Sequence, residues 1–229
     1  MATTSDQLHM RVATRQDAPR IAEIHMAVFT QNALLHAMFP SPATRKAFRI
    51  CLEDMALDDI EDPESTVLVV TTSSDGRDHQ LLSRAQDSEP IVAFAMWSLP
   101  VPPGKDKDDD EPDWKWPEGT DTELVEAWHA KTAEAERHAV GDTPCYQLSF
   151  IGTDHTFGIR GAGRMLLQWG IQQCNANKAP LYLESTVEAA PFYEKHGLVA
   201  GETISIPVRV DGGTEEQIYK EIVHTYFPA

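Results

Sequence analysis

The segment YQLSFIGTDHTFGIRGAGRMLL, residues 146–167, decides the fold. Tyr146–Thr153 reads as a strong strand. Gly158–Gly163 is glycine-rich, and Arg164–Asn175 places Met165, Leu166, Trp169 and Ile171 on or near one helical face. Glycines allow the tight, positive-φ turn that aims successive N–H groups into one concavity. The free N–H groups and dipole of the next helix add to it, so the arrangement favours a phosphate or pyrophosphate. Arg160 and Arg164 supply full charges. A dinucleotide fingerprint fails, because the sixth position counted from Gly161 is Leu166. A G-K-[S/T] phosphate loop fails as well, because Arg164 and Met165 follow Gly163. A strand–turn–helix that holds no ligand is the competing reading of the glycines alone.

Outward from this segment the chain alternates. Leu8–Ala13 is a short first strand. Thr14 and Asp17 are spaced as a helix cap, and Ile21, Ile24, Val28 and Phe29 give residues 16–29 a helical period. Thr30–Pro42 is apolar and irregular: a buried connection or one lip of a pocket. A helix over 43–57 and strands at Thr66–Thr72 and Ile91–Leu99 follow, the strands joined by a polar loop, 73–89. Pro100–Gly119 reads as a solvated loop and Thr120–Val140 as a helix with Leu124, Val125 and Trp128 inward. Pro180–Glu184 is a short strand. Ser185 and Glu188 are spaced as a capping box for a helix ending at His196-Gly197. Leu198–Val210 and Glu216–Tyr226 close the chain as a hairpin around Asp211-Gly212-Gly213. The expected fold is mixed α/β, read as one domain over 1–229 with an acidic loop–helix insertion at about 100–142.

The 229 residues carry 36 acids against 19 Lys and Arg, a formal charge of −17. That balance argues against nucleic acid and anionic membrane as partners. Residues 53–64 hold seven acids and no Lys or Arg, and residues 100–142 hold a net −8, so both lie outside the glycine-rich segment. Between Thr143 and Gly197 four acids balance four bases, which leaves room for an anionic ligand. Three widely spaced cysteines form no C-x-x-C pair, and the nine histidines show no metal-ligand spacing, so no metal is expected. There is no apolar run of membrane length and no secretory start, so a cytoplasmic protein is the expectation.

G-I-R-G-A-G-R-M-L-L resembles the acyl-CoA pyrophosphate loop of the GCN5-related N-acetyltransferases, [Q/R]-x-x-G-x-[G/A] before a leucine-rich helix. L-S-F-I-G-T-D is similar to that family's splayed fourth strand. L-Y-L-E-S-T-V-E-A-A-P-F-Y-E-K-H-G-L is similar to its strand, helix and F-Y-x-x-x-G-[F/L] motif. M-R-V-A-T-R-Q-D-A-P-R-I-A-E-I resembles its first strand and helix. The elements occur in the family's order over nearly the whole chain. Two positions depart from the pattern. Gly158 stands where Gln or Arg is usual, and Leu181 stands where some relatives carry an acid twelve residues before the tyrosine.

The resemblance implies a central, mostly antiparallel sheet of six to seven strands with splayed fourth and fifth strands. It implies acetyl-CoA as co-substrate and direct acetyl transfer to a primary amine, most simply of a small molecule. Gly158, Ile159, Arg160, Gly161, Ala162, Gly163 and Arg164 would hold the pyrophosphate, Ile151 and Thr153 the pantetheine, with Phe192 beside them. Tyr193 matches the family's general acid, since a phenol is a neutral donor at pH 7. An alkylamine of pKa ~10 is about one part in a thousand free base at neutral pH, so a base is needed. Glu184, at the end of the fifth strand, is the candidate; Asp154 and His155 lead towards the phosphates. Phe29, Leu35, Phe39, Trp97 and Tyr226 are candidate walls for the acceptor, or plain core. A non-catalytic acyl-CoA-binding module and a protein N-acetyltransferase with a partner subunit are the alternatives. The family commonly dimerises, so a homodimer is a further expectation.

Overall fold

The computed structural model describes residues 7–73, 89–101, 115–157, 161–210 and 213–228. The middle of the 73–89 loop, most of the 100–119 loop, Gly158–Arg160 and the tip of the last hairpin lie outside them.

Seven strands form one sheet in the order β1-β2-β3-β4-β5-β7-β6. They are β1 (Gln7–Val12), β2 (Ser65–Ser73), β3 (Ile91–Ser98), β4 (Tyr146–Thr153), β5 (Leu181–Thr186), β6 (Val199–Val208) and β7 (Gln217–Tyr226). Only β4 and β5 run parallel; every other pair is antiparallel. The helices are α1 (Ala18–Val28), α2 (Ala33–Met38), α3 (Pro42–Glu61), α4 (Thr122–Val140), α5 (Ala162–Asn177) and α6 (Ala190–Lys195). The expected mixed sheet with its closing antiparallel hairpin is thus the observed one.

The Thr14–Asp17 spacing does what it predicts. Asp17 Oδ2 accepts from Thr14 N at 2.7 Å and from Thr14 Oγ1 at 2.9 Å. The same carboxylate takes two bonds from the Arg11 guanidinium, at 2.7 and 2.9 Å, and so ties β1 to the start of α1. The irregular Thr30–Pro42 stretch contains a short helix, α2, capped by the Asn32 side chain, which accepts from Leu35 N at 2.9 Å.

Two apolar layers flank the sheet. One side packs α5 and α6 on Leu68, Val70, Ala95, Trp97, Leu148, Leu181 and Leu183. The opposite side is split. α1 and part of α3 cover Val67, Val69, Phe94 and Met96. α2, the rest of α3 and α4 cover Tyr182, Ile204, Ile206 and Val223. β3 is buried on both faces, since every residue from Ile91 to Trp97 is buried.

α5 approaches the sheet closely at Gly170. A Cβ added there would lie 2.2 Å from Trp97 Cη2, and Trp97 is 1% exposed. Alanine at a helix interior gains about 1 kcal/mol over glycine in propensity. The clash outweighs it, because forcing atoms into a packed core costs about 1–3 kcal/mol and the indole has nowhere to go. Gly170→Ala is therefore expected to lower the melting temperature by several degrees, measured by circular dichroism. An unchanged or raised melting temperature would contradict this packing.

Candidate functional site

β4 and β5 are paired only at Tyr146–Leu181 and Gln147–Tyr182. Beyond these two pairs the described residues form no ladder between them, so the strands splay. Backbone polar groups along the facing edges are left for a ligand to satisfy. Ile151 and Thr153 lie on β4 past the point where pairing stops.

The wide end of the splay leads to the start of α5. Gly161 caps that helix at φ +107°, a conformation that glycine alone adopts freely. No side chain caps the helix; Met165 N bonds to Gly161 O at 2.9 Å and begins the ladder. The preceding N–H groups of Ala162, Gly163 and Arg164 have no intrahelical partner, which is the property of an anion-binding helix end. A Cβ placed on Gly163 would sit 3.6 Å from Thr153 Oγ1 and 3.9 Å from the tip of Phe192. Thr153, Gly163 and Phe192, chosen from three separate motifs, therefore converge. Arg164 is exposed beside Gly161, and both line a cavity of about 360 Å³ that β1 shares through Leu8 and Met10. Gly158, Ile159 and Arg160 lie outside the described residues.

Tyr193 stands on α6, 5% exposed, with its ring 5.2 Å from Phe192 and 5.5 Å from His224. Burial, reinforced by the negative charge of Glu221, raises its phenol well above the ordinary value, so it stays protonated at every physiological pH. His224 is fully buried, and its Nε2 has no hydrogen-bond partner among the described residues.

Glu184 projects to the opposite face of the sheet. Tyr182, two residues earlier on the same face, donates to Glu184 Oε1 at 2.7 Å. Across the ladder Glu184 pairs with Val223 and Thr186 with Glu221, so Glu184 and Glu221 are diagonal neighbours. Glu221 repeats the arrangement: Tyr219 donates to its Oε1 at 2.5 Å, and Asn32 Nδ2 donates to Tyr219 Oη at 2.9 Å. Neither carboxylate has a Lys or Arg partner among the described residues. Burial, with Glu221 and Glu136 as like charges, lifts Glu184 to about 7 against the pull of the Tyr182 bond. Burial raises Glu221 as well. The paired tyrosines rise in turn, by burial first and then by the carboxylates beside them. A carboxylate poised near neutrality can accept a proton from an ammonium at working pH.

Sequence reasoning missed Glu221, Tyr219, Tyr182 and Asn32. The available signal was the β7 alternation, which sets Glu221 between the inward positions Tyr219 and Val223. Asp154 is accounted for otherwise. Arg20 Nη2 binds its Oδ2 at 2.5 Å, and Thr156 N and Oγ1 bind its Oδ1 at 2.8 and 2.6 Å. Burial would raise this carboxyl, but those bonds outweigh it and hold the group below its ordinary value, so it is a poor base.

Three expectations need correction. Trp97 faces α5, sealed beneath Gly170 and 5.8 Å from Trp169, so it does not share a surface with Glu184. Phe39 is 2% exposed and stacks on Phe48 at 3.8 Å, fastening α2 to α3 as core. Ser185 caps no helix: β5 continues through Thr186, and it is the Thr186 hydroxyl that accepts from Ala189 N at 3.3 Å. Tyr226 donates to Asn175 on α5 at 3.0 Å, on the Tyr193 face. Phe29 ends α1, with His25 at 4.8 Å and Phe150 of β4 at 6.4 Å, and Leu35 lies on α2. Cys174 lies on the buried face of α5 and its thiol is pushed up to about 12 by burial, which leaves it inert.

No protein-family model matches the chain, and no curated protein matches it in sequence. Solved structures do resemble it. A histone acetyltransferase HPA2 and related acetyltransferase from Corynebacterium glutamicum shares 19% identity over 99% of this chain and 98% of that one, with TM-score 0.58. The C-terminal condensation domain of Ebony, in complex with beta-alanyl-dopamine, shares 11% over 97% and 99%, with TM-score 0.62. NAA60 of Arabidopsis thaliana, in complex with acetyl-CoA, shares 12% over 96% and 98%, with TM-score 0.53. The likeness is one of fold. No helix among the described residues is long and apolar enough to cross a membrane.

Proposed function

This chain has the fold of the GCN5-related N-acetyltransferases, and from that premise we propose that it moves an acetyl group from acetyl-CoA to the primary amine of a small molecule. The observation that carries the reading is the splay. A neutral phenol borders it from one face, and two uncompensated carboxylates lie on the other. In this reading the open N–H groups of Ala162–Arg164 hold the pyrophosphate, and the unpaired edge of β4 at Ile151 and Thr153 takes the pantetheine amides. Gly158, Ile159 and Arg160 complete the loop.

The cofactor supplies the activated acetyl group. Glu184 draws a proton from the bound ammonium, directly or through a water, and leaves an amine that attacks the thioester carbonyl. Tyr193 would polarise that carbonyl and protonate the departing thiolate, and it would regain a proton as the nitrogen sheds its second one to become the amide. Acid and base thus approach the reacting atoms from opposite faces of the sheet. Glu221 keeps Glu184 basic by repulsion and adds negative potential that favours a cationic acceptor.

A small amine is favoured over a peptide because the carboxylates are half-buried and flanked by Tyr182, Tyr219 and Asn32. A neighbour holding beta-alanyl-dopamine supports the same choice. The test is to incubate the protein with acetyl-CoA and a panel of amines and peptides, following free thiol and acetylated product by mass spectrometry. Thiol released one-for-one with an acetylated amine is expected. Tight acetyl-CoA binding without product from any acceptor would favour the non-catalytic reading.

A further inference from the structure

Residues 24–52 contain no Asp or Glu, although the chain carries 36 of them. At the mean density about five would fall there. The stretch instead carries Arg45, Lys46 and Arg49, with His25 and His36. On α3 these cations are three and four residues apart, so they share one face.

That face is concave. Arg45, Lys46 and Arg49 line a cavity of about 380 Å³ with Met26 and Thr30 from the end of α1 and Leu35 and His36 from α2. No acid lines it. Arg45 is held in place, since its Nη1 donates to Phe39 O at 2.8 Å and to Pro40 O at 3.1 Å. Among the described residues Arg49 meets one acid at the rim, Glu53, at 3.6 Å. The cavity also lies against the N-terminal turns of the 20-residue α3, where the helix dipole is positive. Three cations on an ordinary solvated helix would need no apolar floor, no anchored guanidinium and no clearing of acids from 29 consecutive residues.

We propose that this cavity is an anion-binding site, taking a carboxylate or phosphate group on a small molecule. Met26 and Leu35 supply a floor for the carbon part of such a ligand, and the α3 cations bind its charge. None of the residues lining it belongs to the splay or to the Glu184–Glu221 pair, and its binding does not depend on the acetyl-transfer reading. The anion has two sources, the tail of the acceptor amine or a separate effector. α2 serves either, because Leu35 lines the cavity while Asn32, which caps that helix, reaches Tyr219 beside Glu221.

Inorganic phosphate is titrated into the full chain, with CoA at saturation to occupy the loop at Gly161–Arg164. Wild-type protein is expected to bind it saturably, and binding should weaken as ionic strength rises. Lys46→Gln/Arg49→Gln is expected to bind about tenfold more weakly or worse, at an unchanged melting temperature. Equal affinity in the wild type and this variant, or no saturable binding in the wild type, overturns the proposal. The variant comparison stands even if CoA does not bind. The source is read separately. Phosphate that competes with an acid-bearing acceptor in the thiol assay assigns the site to the acceptor's tail, and phosphate that does not compete assigns it to an effector.

Discussion

Replacing Glu184 by Gln is expected to lower kcat/KM for amine acetylation by about 10²–10³-fold at neutral pH and to abolish the break in its pH profile near neutrality. The size follows from the free-base fraction of the acceptor. At neutral pH about one alkylamine in a thousand is unprotonated, so an enzyme without a base works on that fraction alone. The pH dependence follows from the environment of Glu184. Burial and the charges of Glu221 and Glu136 hold it at about 7. A general base must be deprotonated, so wild-type activity should rise with pH through about 7 and then level. Glu184→Gln should not level near 7 but keep rising with the free-base fraction of the amine, up to the amine's own pKa. Glu221→Gln is the informative companion. It removes a like charge, so the limb should move to lower pH while the acceptor KM rises. The pair is coupled, and the observed midpoint belongs to both carboxylates. A Glu184→Gln enzyme with the wild-type profile would remove Glu184 from the chemistry.

Tyr193→Phe is expected to lower kcat by about 10²-fold or more while acetyl-CoA affinity changes little. The ring is 5% exposed and packs on Phe192 and His224, contacts that phenylalanine keeps. No described residue hydrogen-bonds the hydroxyl, so the substitution strands no buried partner and the fold should hold. What disappears is the proton for the leaving thiolate. A loss confined to kcat, with an unchanged melting temperature, marks a group that acts in the transition state. Equal falls in kcat and stability would assign Tyr193 to packing alone.

Much of this was legible in the sequence, for identifiable reasons. β4 has the bounds that its pattern gave, Tyr146–Thr153, and the glycine cluster announces the strand–turn–helix unit because its positive-φ turn suits few other residues. The Thr14–Asp17 cap was legible because a hydroxyl and a carboxylate three residues apart satisfy local backbone groups wherever the chain goes. The acceptor walls were not. β3 is buried on both faces, so alternation says that Trp97 and Ala95 share a side but is silent on which side faces α5. Ser185 and Glu188 met the spacing of a capping box, yet the cross-strand ladder with β7 holds Ser185 in β5. Glu221 escaped because a glutamate between isoleucine and lysine on a closing hairpin reads as solvent-facing. Only the register with β5 shows it beside Glu184.

In the proposed function the β4–β5 splay and the α5 N-terminus hold acetyl-CoA. Isothermal titration of the full chain with acetyl-CoA tests it most directly. The proposal predicts saturable binding with one site per chain, matched by CoA and weakened by added salt, because N–H groups and Arg164 would hold the pyrophosphate. No binding heat with millimolar acetyl-CoA, or heat that does not saturate, would contradict it.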